Sequence, residues 1–292
     1  MDEIEPKVKL IEGDCMEKLE EVENGSVQLV CIDPPYNIGK DTWDTIPNYV
    51  EWLTNVVMKL ETKLKRCGSM LIFHNDIETM AELMISFKKN TKLKLKQMIT
   101  WNKRFEGSSK KGYLDGFVVK EEAHMFTKMC EYILFYTFDN TELLKQTRKS
   151  KKVSQMTISK EIKSKTGGMT GWYSNIETGK NYPTRETMKP ITKHLGLEYE
   201  DIVPKFNNQK THHSVWNFDM AKRNDTHITP KPVDLLENII VHLSDENDTV
   251  LDCFGGSGSL GLAALKCKRN AILIEKESRY CDFIKKQLKL ED

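Results

Sequence analysis

Two stretches of this chain hold residue types whose spacing could do chemistry. In Cys31-Ile32-Asp33-Pro34-Pro35-Tyr36 a carboxylate is followed by two prolines and an aromatic ring. Proline lacks an N–H and fixes φ, and it drives the residue before it toward extended geometry. Asp33 and the Pro34 carbonyl are therefore rigid acceptors, serving either a ligand or only a stiff turn. In Asp252-Cys253-Phe254-Gly255-Gly256-Ser257-Gly258 an acid runs into a glycine-rich turn, where bare backbone can approach a ligand closely. Gly256-x-Gly258-x-x-Gly261 fits the dinucleotide fingerprint, and Glu275 follows at about the 20-residue offset of a ribose-binding acid. A nicotinamide oxidoreductase is one reading of that match. Asp252 and Phe254 flanking the turn, and its place late in the chain, favour another nucleoside cofactor, because a dehydrogenase usually begins with this unit.

Hydrophobic patterning supplies the elements that must position these groups. Val27 to Ile32 is a short apolar run of the kind buried in a parallel sheet, and it delivers Asp33. Val8 to Ile11 delivers Gly13 and Asp14, Thr249 to Leu251 delivers the glycine turn, and Asn270 to Ile274 delivers Glu275. Asp14 at its strand end is a ligand candidate, with an N-cap for the helix at Met16 as the alternative. Val50, Leu53, Val57, Leu60 and Leu64 recur at helical spacing, and Gly68 reads as the stop after them. Further strands are expected over 69–73, 94–101, 131–138 and 213–218, a long exposed loop over 102–120, and helices near 80–87 and from Val233 onward. This alternation predicts an α/β fold with a doubly wound, mostly parallel sheet, whose ligands bind beyond the carboxyl ends of the strands.

Composition bounds the function. The 292 residues carry 44 Lys and Arg against 43 Asp and Glu, a net charge of +1, so any nucleic-acid surface must be local. Seven scattered cysteines without a C-x-x-C pair read as reduced thiols of a cytoplasmic protein, neither a zinc site nor a disulfide framework. No start resembling a signal peptide and no membrane-length apolar run is present in the sequence. From about Asn140 the composition shifts: Lys145, Arg148, Lys149, Lys151, Lys152, Lys160, Lys163 and Lys165 crowd a segment with few acids. This shift divides the chain into 1–139, a basic helical insertion over 140–210, and 211–292.

Within that insertion, Trp172-Tyr173-Ser174-Asn175-Ile176-Glu177-Thr178-Gly179 and His194-Leu195-Gly196-Leu197 resemble the phage-repressor type of helix-turn-helix domain. The resemblance implies a recognition helix bringing Thr170, Trp172, Tyr173 and Asn175 near DNA, with Asn175 able to read adenine. Lys149, Lys151 and Lys152 would supply the basic surface. Pro190 departs from the pattern, since it falls inside the last helix and would kink it. A purely structural insertion is the alternative.

Taken together, Asp33-Pro34-Pro35-Tyr36, then the basic insertion, then Asp252 to Gly258 resemble, in that order, the circularly permuted β type of S-adenosylmethionine-dependent DNA amino-methyltransferase. Trp101-Asn102-Lys103, Glu131 to Leu134 and His227-x-Thr229-Pro230-Lys231-Pro232 extend the likeness over most of the chain. It implies that Asp33 and the Pro34 carbonyl accept hydrogen bonds from an exocyclic amine of a flipped base, with Pro35 stiffening the turn and Tyr36 stacking on the base. It further implies S-adenosylmethionine as cofactor, held by Asp14, Asp252, Phe254, Gly256, Gly258 and Glu275, with Thr229 and Lys231 near the methionine carboxylate. Trp43 and Asp44 would line the base pocket or a surface loop. An Asp opening the catalytic motif resembles the adenine-N6 enzymes more than the cytosine-N4 group. The expected partner is double-stranded DNA in a bacterial or phage-infected cytoplasm, without metal or membrane; a homodimer and a restriction endonuclease partner stay open. A DNA-binding regulator with an inactive methyltransferase-like domain is the alternative of another class.

Overall fold

The computed structural model describes residues 5–37, 45–109, 126, 128–163, 171–208, 213–221 and 230–290. Eight strands form one sheet: β1 (Val8–Glu12), β2 (Val27–Ile32), β3 (Leu64–His74), β4 (Leu93–Asn102), β5 (Cys130–Phe138), β6 (Val215–Asn217), β7 (Thr249–Asp252) and β8 (Asn270–Glu275). Their order across the sheet is β1-β8-β7-β2-β3-β5-β4-β6, and only β5 runs antiparallel to its neighbours. The first and last strands thus lie side by side, with Ile11 opposite Ile274. The helices outside the insertion are α1 (Cys15–Lys18), α2 (Tyr49–Lys63), α3 (Ile77–Asn90), α9 (Val233–Leu243), α10 (Ser259–Lys266) and α11 (Ser278–Leu288).

The central strand β2 is buried along its whole length, as a parallel strand covered on both faces must be. Val30 and Ile32 face a cluster containing Leu53, Val57 and Leu60 of α2 and Leu83 of α3. Leu29 and Cys31 face the opposite cluster, with Leu236 and Ile240 of α9 and Ala263 of α10. From β7 the chain crosses through α10 to β8 on one side, and from β2 it crosses through α2 to β3 on the other. The sheet's direction of winding therefore reverses between β7 and β2, which opens a crevice at their carboxyl ends.

One local reading differs from the structure. Leu64 and Gly68 were expected to close α2, yet the helix ends at Lys63 and Leu64 already begins β3. Leu64 pairs with Val27 across a register shift in β2, so the sheet captures residues whose spacing alone continues the helix. A Cβ on Gly68 would lie 2.8 Å from the Lys65 carbonyl oxygen, so this glycine serves a close backbone approach inside a strand.

The segment after β5 forms five helices, α4 (Thr141–Ser150), α5 (Gln155–Ser159), α6 (Trp172–Glu177), α7 (Arg185–Leu195) and α8 (Tyr199–Ile202). They enclose a separate core of Leu144, Ile158, Tyr173, Ile176, Met188, Ile191, Leu195 and Ile202. Inside it, Arg148 Nε donates to Glu177 at 2.6 Å and clamps α4 to α6. Helix α7 runs through the buried Pro190 without interruption, opened by a Thr184 cap and closed by Gly196 in the left-handed region. The group is fastened to the sheet at the amino end of β3: Lys205 N–H donates to the Cys67 carbonyl (2.9 Å), and Asn140 donates to the Ile202 carbonyl (3.2 Å). Among the described residues, no helix is long and apolar enough to cross a membrane.

Candidate active site

Three strand ends and one helix entry converge on a cavity of about 460 Å³ at the carboxyl edge of the sheet. Asp33 leaves β2, Asp252 leaves β7, Glu275 leaves β8, and Pro230 and Lys231 precede α9. The two expected stretches, more than two hundred residues apart in the chain, therefore line one cavity, with Phe254, Gly255, Gly256 and Ser257 on the same wall as Asp252.

On the Asp33 side the geometry is a linked set of charges. Tyr36 Oη donates to Asp33 Oδ1 at 2.6 Å, and Lys231 Nζ donates to Asp33 Oδ2 at 2.5 Å. Lys231 also stands 3.4 Å from Glu131 Oε2, and Lys103 pairs with the other Glu131 oxygen. The Lys231 ammonium lies 5.4 Å from the Tyr36 ring centre and 5.2 Å from that of Phe73, so aromatic faces help hold a cation whose side chain is only 10% exposed. Burial by itself would lower the Lys231 pKa, but Asp33 and then Glu131 outweigh it and raise it above the ordinary lysine value. Burial would likewise raise Glu131, yet Lys231 and Lys103 bring its carboxyl below the usual range. The Tyr36 phenol is pushed well above its ordinary value by burial and by the adjacent Asp33 and Glu131 carboxylates, so it stays a hydrogen-bond donor. Its ring leans on His74 with centres 4.9 Å apart.

On the glycine-turn side, both Glu275 oxygens are fixed by backbone: Oε2 accepts from Gly256 N–H (2.6 Å) and Oε1 from Glu277 N–H (2.8 Å). Asp252 Oδ1 accepts from Phe254 N–H at 2.9 Å. Burial pushes the Asp252 carboxyl up to about 8, with Asp33 and Glu275 adding to it against the Phe254 hydrogen bond. Gly258 takes φ +72° to start α10, and a Cβ there would sit 3.0 Å from Ile284. Phe254 packs on Trp52, ring centres 5.7 Å apart, at the mouth of the cavity. Asp14 Oδ1 caps α1 by accepting from Met16 N–H (2.9 Å), the alternative reading of this residue, and Asp14 also lines the cavity with Gly13.

The structure brings Asp14, Asp33, Pro34, Pro35, Tyr36, Asp252, Phe254, Gly256 and Glu275 to this cavity. Gly258 shapes the turn beside it. Lys231, expected near a methionine carboxylate, lines the same cavity, where its ammonium is engaged by Asp33 and Glu131, two carboxylates of the chain itself. Tyr173 is a correction, because its side chain is fully buried in the helical core and offers nothing to DNA. Helical spacing explains this, since Tyr173 and Ile176, three residues apart, share the face of α6 that must turn inward to have a core at all. Trp172 is half-buried, its indole N–H donating to the Ser159 carbonyl at 3.1 Å, and Asn175 is half-buried as well, whereas Lys149, Lys151 and Lys152 are exposed. Thr170, Thr229, Trp43 and Asp44 lie outside the described residues. Glu131, Lys103 and Trp52 were given no role from the sequence. The available signals were the family likeness of the stretches that hold Lys103 and Glu131, and Glu131 itself, an acid at the start of a mostly apolar strand.

Nucleoside-cofactor chemistry fits this donor set. Carboxylates fixed at strand ends suit hydroxyls and an amine, the turn leaves room for close backbone approach, and Phe254 and Trp52 give an aromatic wall. Among the described residues, no group of three His, Cys, Asp or Glu is placed to hold a metal ion.

Comparison with known proteins bears on the same residues. A family model described as DNA methylase matches residues 27–286. The type II methyltransferase M1.MboII of Moraxella bovis is 31% identical over 97% of this chain and 98% of its own length. The DNA adenine methyltransferase YhdJ of Escherichia coli K12 is 28% identical over 93% of this chain and 79% of that protein. Among solved structures, the cytosine-N4-specific PvuII DNA methyltransferase shares the fold with a TM-score of 0.64 at 15% identity, covering 99% of this chain and 88% of that one. The M1.HpyAVI–SAM complex does so with a TM-score of 0.57 at 18% identity, covering 97% and 100%.

Proposed function

The chain belongs to the N6/N4 DNA methylase family, and from that premise we propose that it is a site-specific methyltransferase acting on the exocyclic N6 of adenine in double-stranded DNA, with S-adenosylmethionine as methyl donor. The observation that carries this reading is the shared cavity: the Asp33 motif and the glycine turn open onto one another at the winding reversal of the sheet. The Asp in the catalytic motif and the likeness to a protein named as a DNA adenine methyltransferase support adenine over cytosine.

Glu275 would hold the ribose hydroxyls with the lone pairs left free by its two backbone donors. Asp252 and the backbone of Gly255 to Ser257 would receive the amino-acid end, and Phe254 and Asp14 the adenine. When bound, S-adenosylmethionine supplies a methyl group made electrophilic by its sulfonium.

Everything else falls to the chain's own residues. An exocyclic amine is a poor nucleophile because its lone pair is delocalised into the ring. Asp33 and the Pro34 carbonyl accept its two N–H groups and so favour pyramidal geometry, turning the lone pair toward the cavity. The amine must lose one proton as its new C–N bond forms, and Asp33 is the acceptor aligned with that N–H. Tyr36 and Lys231 hold the Asp33 carboxylate by one hydrogen bond to each oxygen, so little reorganisation is required when the base arrives. The Tyr36 face, backed by His74, would stack the flipped base.

The test is transfer of labelled methyl from S-adenosylmethionine to duplex DNA, with mass-spectrometric mapping of the modified base. Asp33→Ala should abolish transfer while DNA and cofactor binding persist. Methyl on cytosine N4 would overturn the choice of base, and specific DNA binding with no transfer to any sequence would point to a regulator.

A further inference from the structure

The helical group does not sit where a reader of the methylated sequence would be placed. Asp33, Tyr36, Glu131 and Lys231 stand at the carboxyl ends of the parallel strands, whereas the group is fastened at the opposite end. Its links to the sheet are Cys67 near the start of β3, Asn140 just beyond β5, and Lys96 in the lower half of β4, which contacts Tyr182. From Cys67 to His74 along β3 is seven residues, or about 23 Å at the usual rise of a strand. The segments after β4 and β6, where Lys103 and Asp219 are found, leave the carboxyl edge instead, together with those after the other parallel strands.

Charge separates the two ends as well. Residues 140–203 contain twelve Lys and Arg against seven Asp and Glu, a net +5 in a chain whose total is +1, so the remainder is net negative. Lys149 in the last turn of α4, Lys151 and Lys152 in the α4–α5 turn, and Lys160 and Lys163 after α5 are exposed. Among the described residues no carboxylate lies within ion-pair distance of these five. Three of the group's seven acids are engaged elsewhere: Glu177 on the internal Arg148 clamp, Glu161 on Lys193 and His194, and Glu142 beside Lys145. A helical group with its own core, carrying exposed lysines with no carboxylate partner close together in the chain, suits a polyanion such as a duplex rather than an apolar partner.

We propose that the helical group is a second duplex-binding site, separate from the methyl-transfer site, so that one molecule holds two segments of DNA. Its lysines neutralise phosphates at the amino edge of the sheet while the target base is engaged at the carboxyl edge.

The experiment uses the full-length protein, a short duplex bearing the methylation target and a second, differently labelled duplex without it, with co-capture and sedimentation reporting the stoichiometry. Two duplexes per protein are expected. The Lys149→Glu, Lys151→Glu, Lys152→Glu triple variant should lose the second duplex, more than tenfold in affinity near physiological salt, and lower the salt slope of that binding by about 2.7, at roughly 0.9 per phosphate contact. Methyl transfer to the short target duplex should keep its rate, which also reports that the variant is folded. The milder Lys→Gln triple should fall between. A single duplex per protein overturns the proposal, as does an unchanged second duplex in the variant. Parallel loss of both duplexes also overturns it, placing the group on the substrate. If no DNA is methylated by the wild type while the second duplex is still lost in the variant, the methyltransferase reading fails and this one stands.

Discussion

Replacing Lys231 with methionine isolates the charge network at the catalytic motif. The substitution keeps most of the side-chain length but removes the only cation bridging Asp33 Oδ2 and Glu131 Oε2 among the described residues. Side chains of Lys231 and Glu131 are 10% and 12% exposed, and Asp33 is 26% exposed, so water replaces little of what is lost. Removing one partner of a buried ion pair costs about 3–5 kcal/mol. Lys103 remains on Glu131 and Asp33 is partly solvated, which puts the expected loss at the lower end, about 3 kcal/mol at pH 7. The pH dependence carries the sharper test. In the native protein Glu131 is held below its ordinary pKa, so its contribution is complete above the unfolded value of about 4.3 and is lost as pH falls through the lower folded value. Without Lys231 the largest charge opposing burial is gone, so that carboxyl moves up from its native position although Lys103 remains beside it. The penalty of Lys231→Met should therefore shrink from neutral pH toward pH 4, as Glu131 takes up a proton more readily in the variant than in the native protein. Urea unfolding at pH 4 and pH 7 measures it, and adding Glu131→Gln to Lys231→Met should recover part of the loss. A penalty below about 0.5 kcal/mol, the scatter expected for uncoupled sites, or one that does not change with pH would refute the reasoning. Methyl transfer in Lys231→Met should fall in kcat more than in KM for DNA, since the residue acts on Asp33 and not on phosphate.

Two further substitutions probe the cofactor side. With its carboxyl pushed up to about 8 in the fold against about 3.9 unfolded, Asp252 keeps a proton on the native protein that the unfolded chain has released. Stability of the ligand-free protein should decline as pH rises from about 4 to about 8, and Asp252→Asn should flatten that decline; equal slopes in urea unfolding for both proteins would exclude it. Gly258→Ala places a Cβ at φ +72° and 3.0 Å from Ile284, so it should cost about 1–2 kcal/mol of backbone strain in urea unfolding and weaken S-adenosylmethionine in equilibrium dialysis. Measured in an Ile284→Ala background, which removes the two Cγ atoms this Cβ would meet, only the contact part of the cost should disappear, and a cost that vanishes entirely would show that backbone conformation does not matter at this turn.

What was legible in the sequence was chemistry carried by contiguous residues. Asp33-Pro34-Pro35-Tyr36, the turn from Asp252 to Gly258 and the strand ending in Glu275 each encode their own geometry, because proline and glycine act within one or two residues and a buried strand announces itself in its own six. Their order along the chain carried the family resemblance before any contact was known. Local patterning misjudged Leu64 and Gly68 because helical spacing runs up to a point where the neighbouring strand takes over, and the resemblance misplaced Tyr173 because it named the helix but not the side of it that packs.

The tertiary structure decided what depends on distant residues meeting. Lys231 reaches Asp33 across 198 positions and Tyr36 approaches Glu131 across 95, and no periodicity signals which cation will neutralise which acid. The basic segment was plain in the composition, but the end of the sheet it occupies depends on where β5 stops. Because β5 is the antiparallel strand, the chain leaving it emerges at the amino edge, and the helical group that carries the lysines is fastened at the opposite end of the sheet from Asp33.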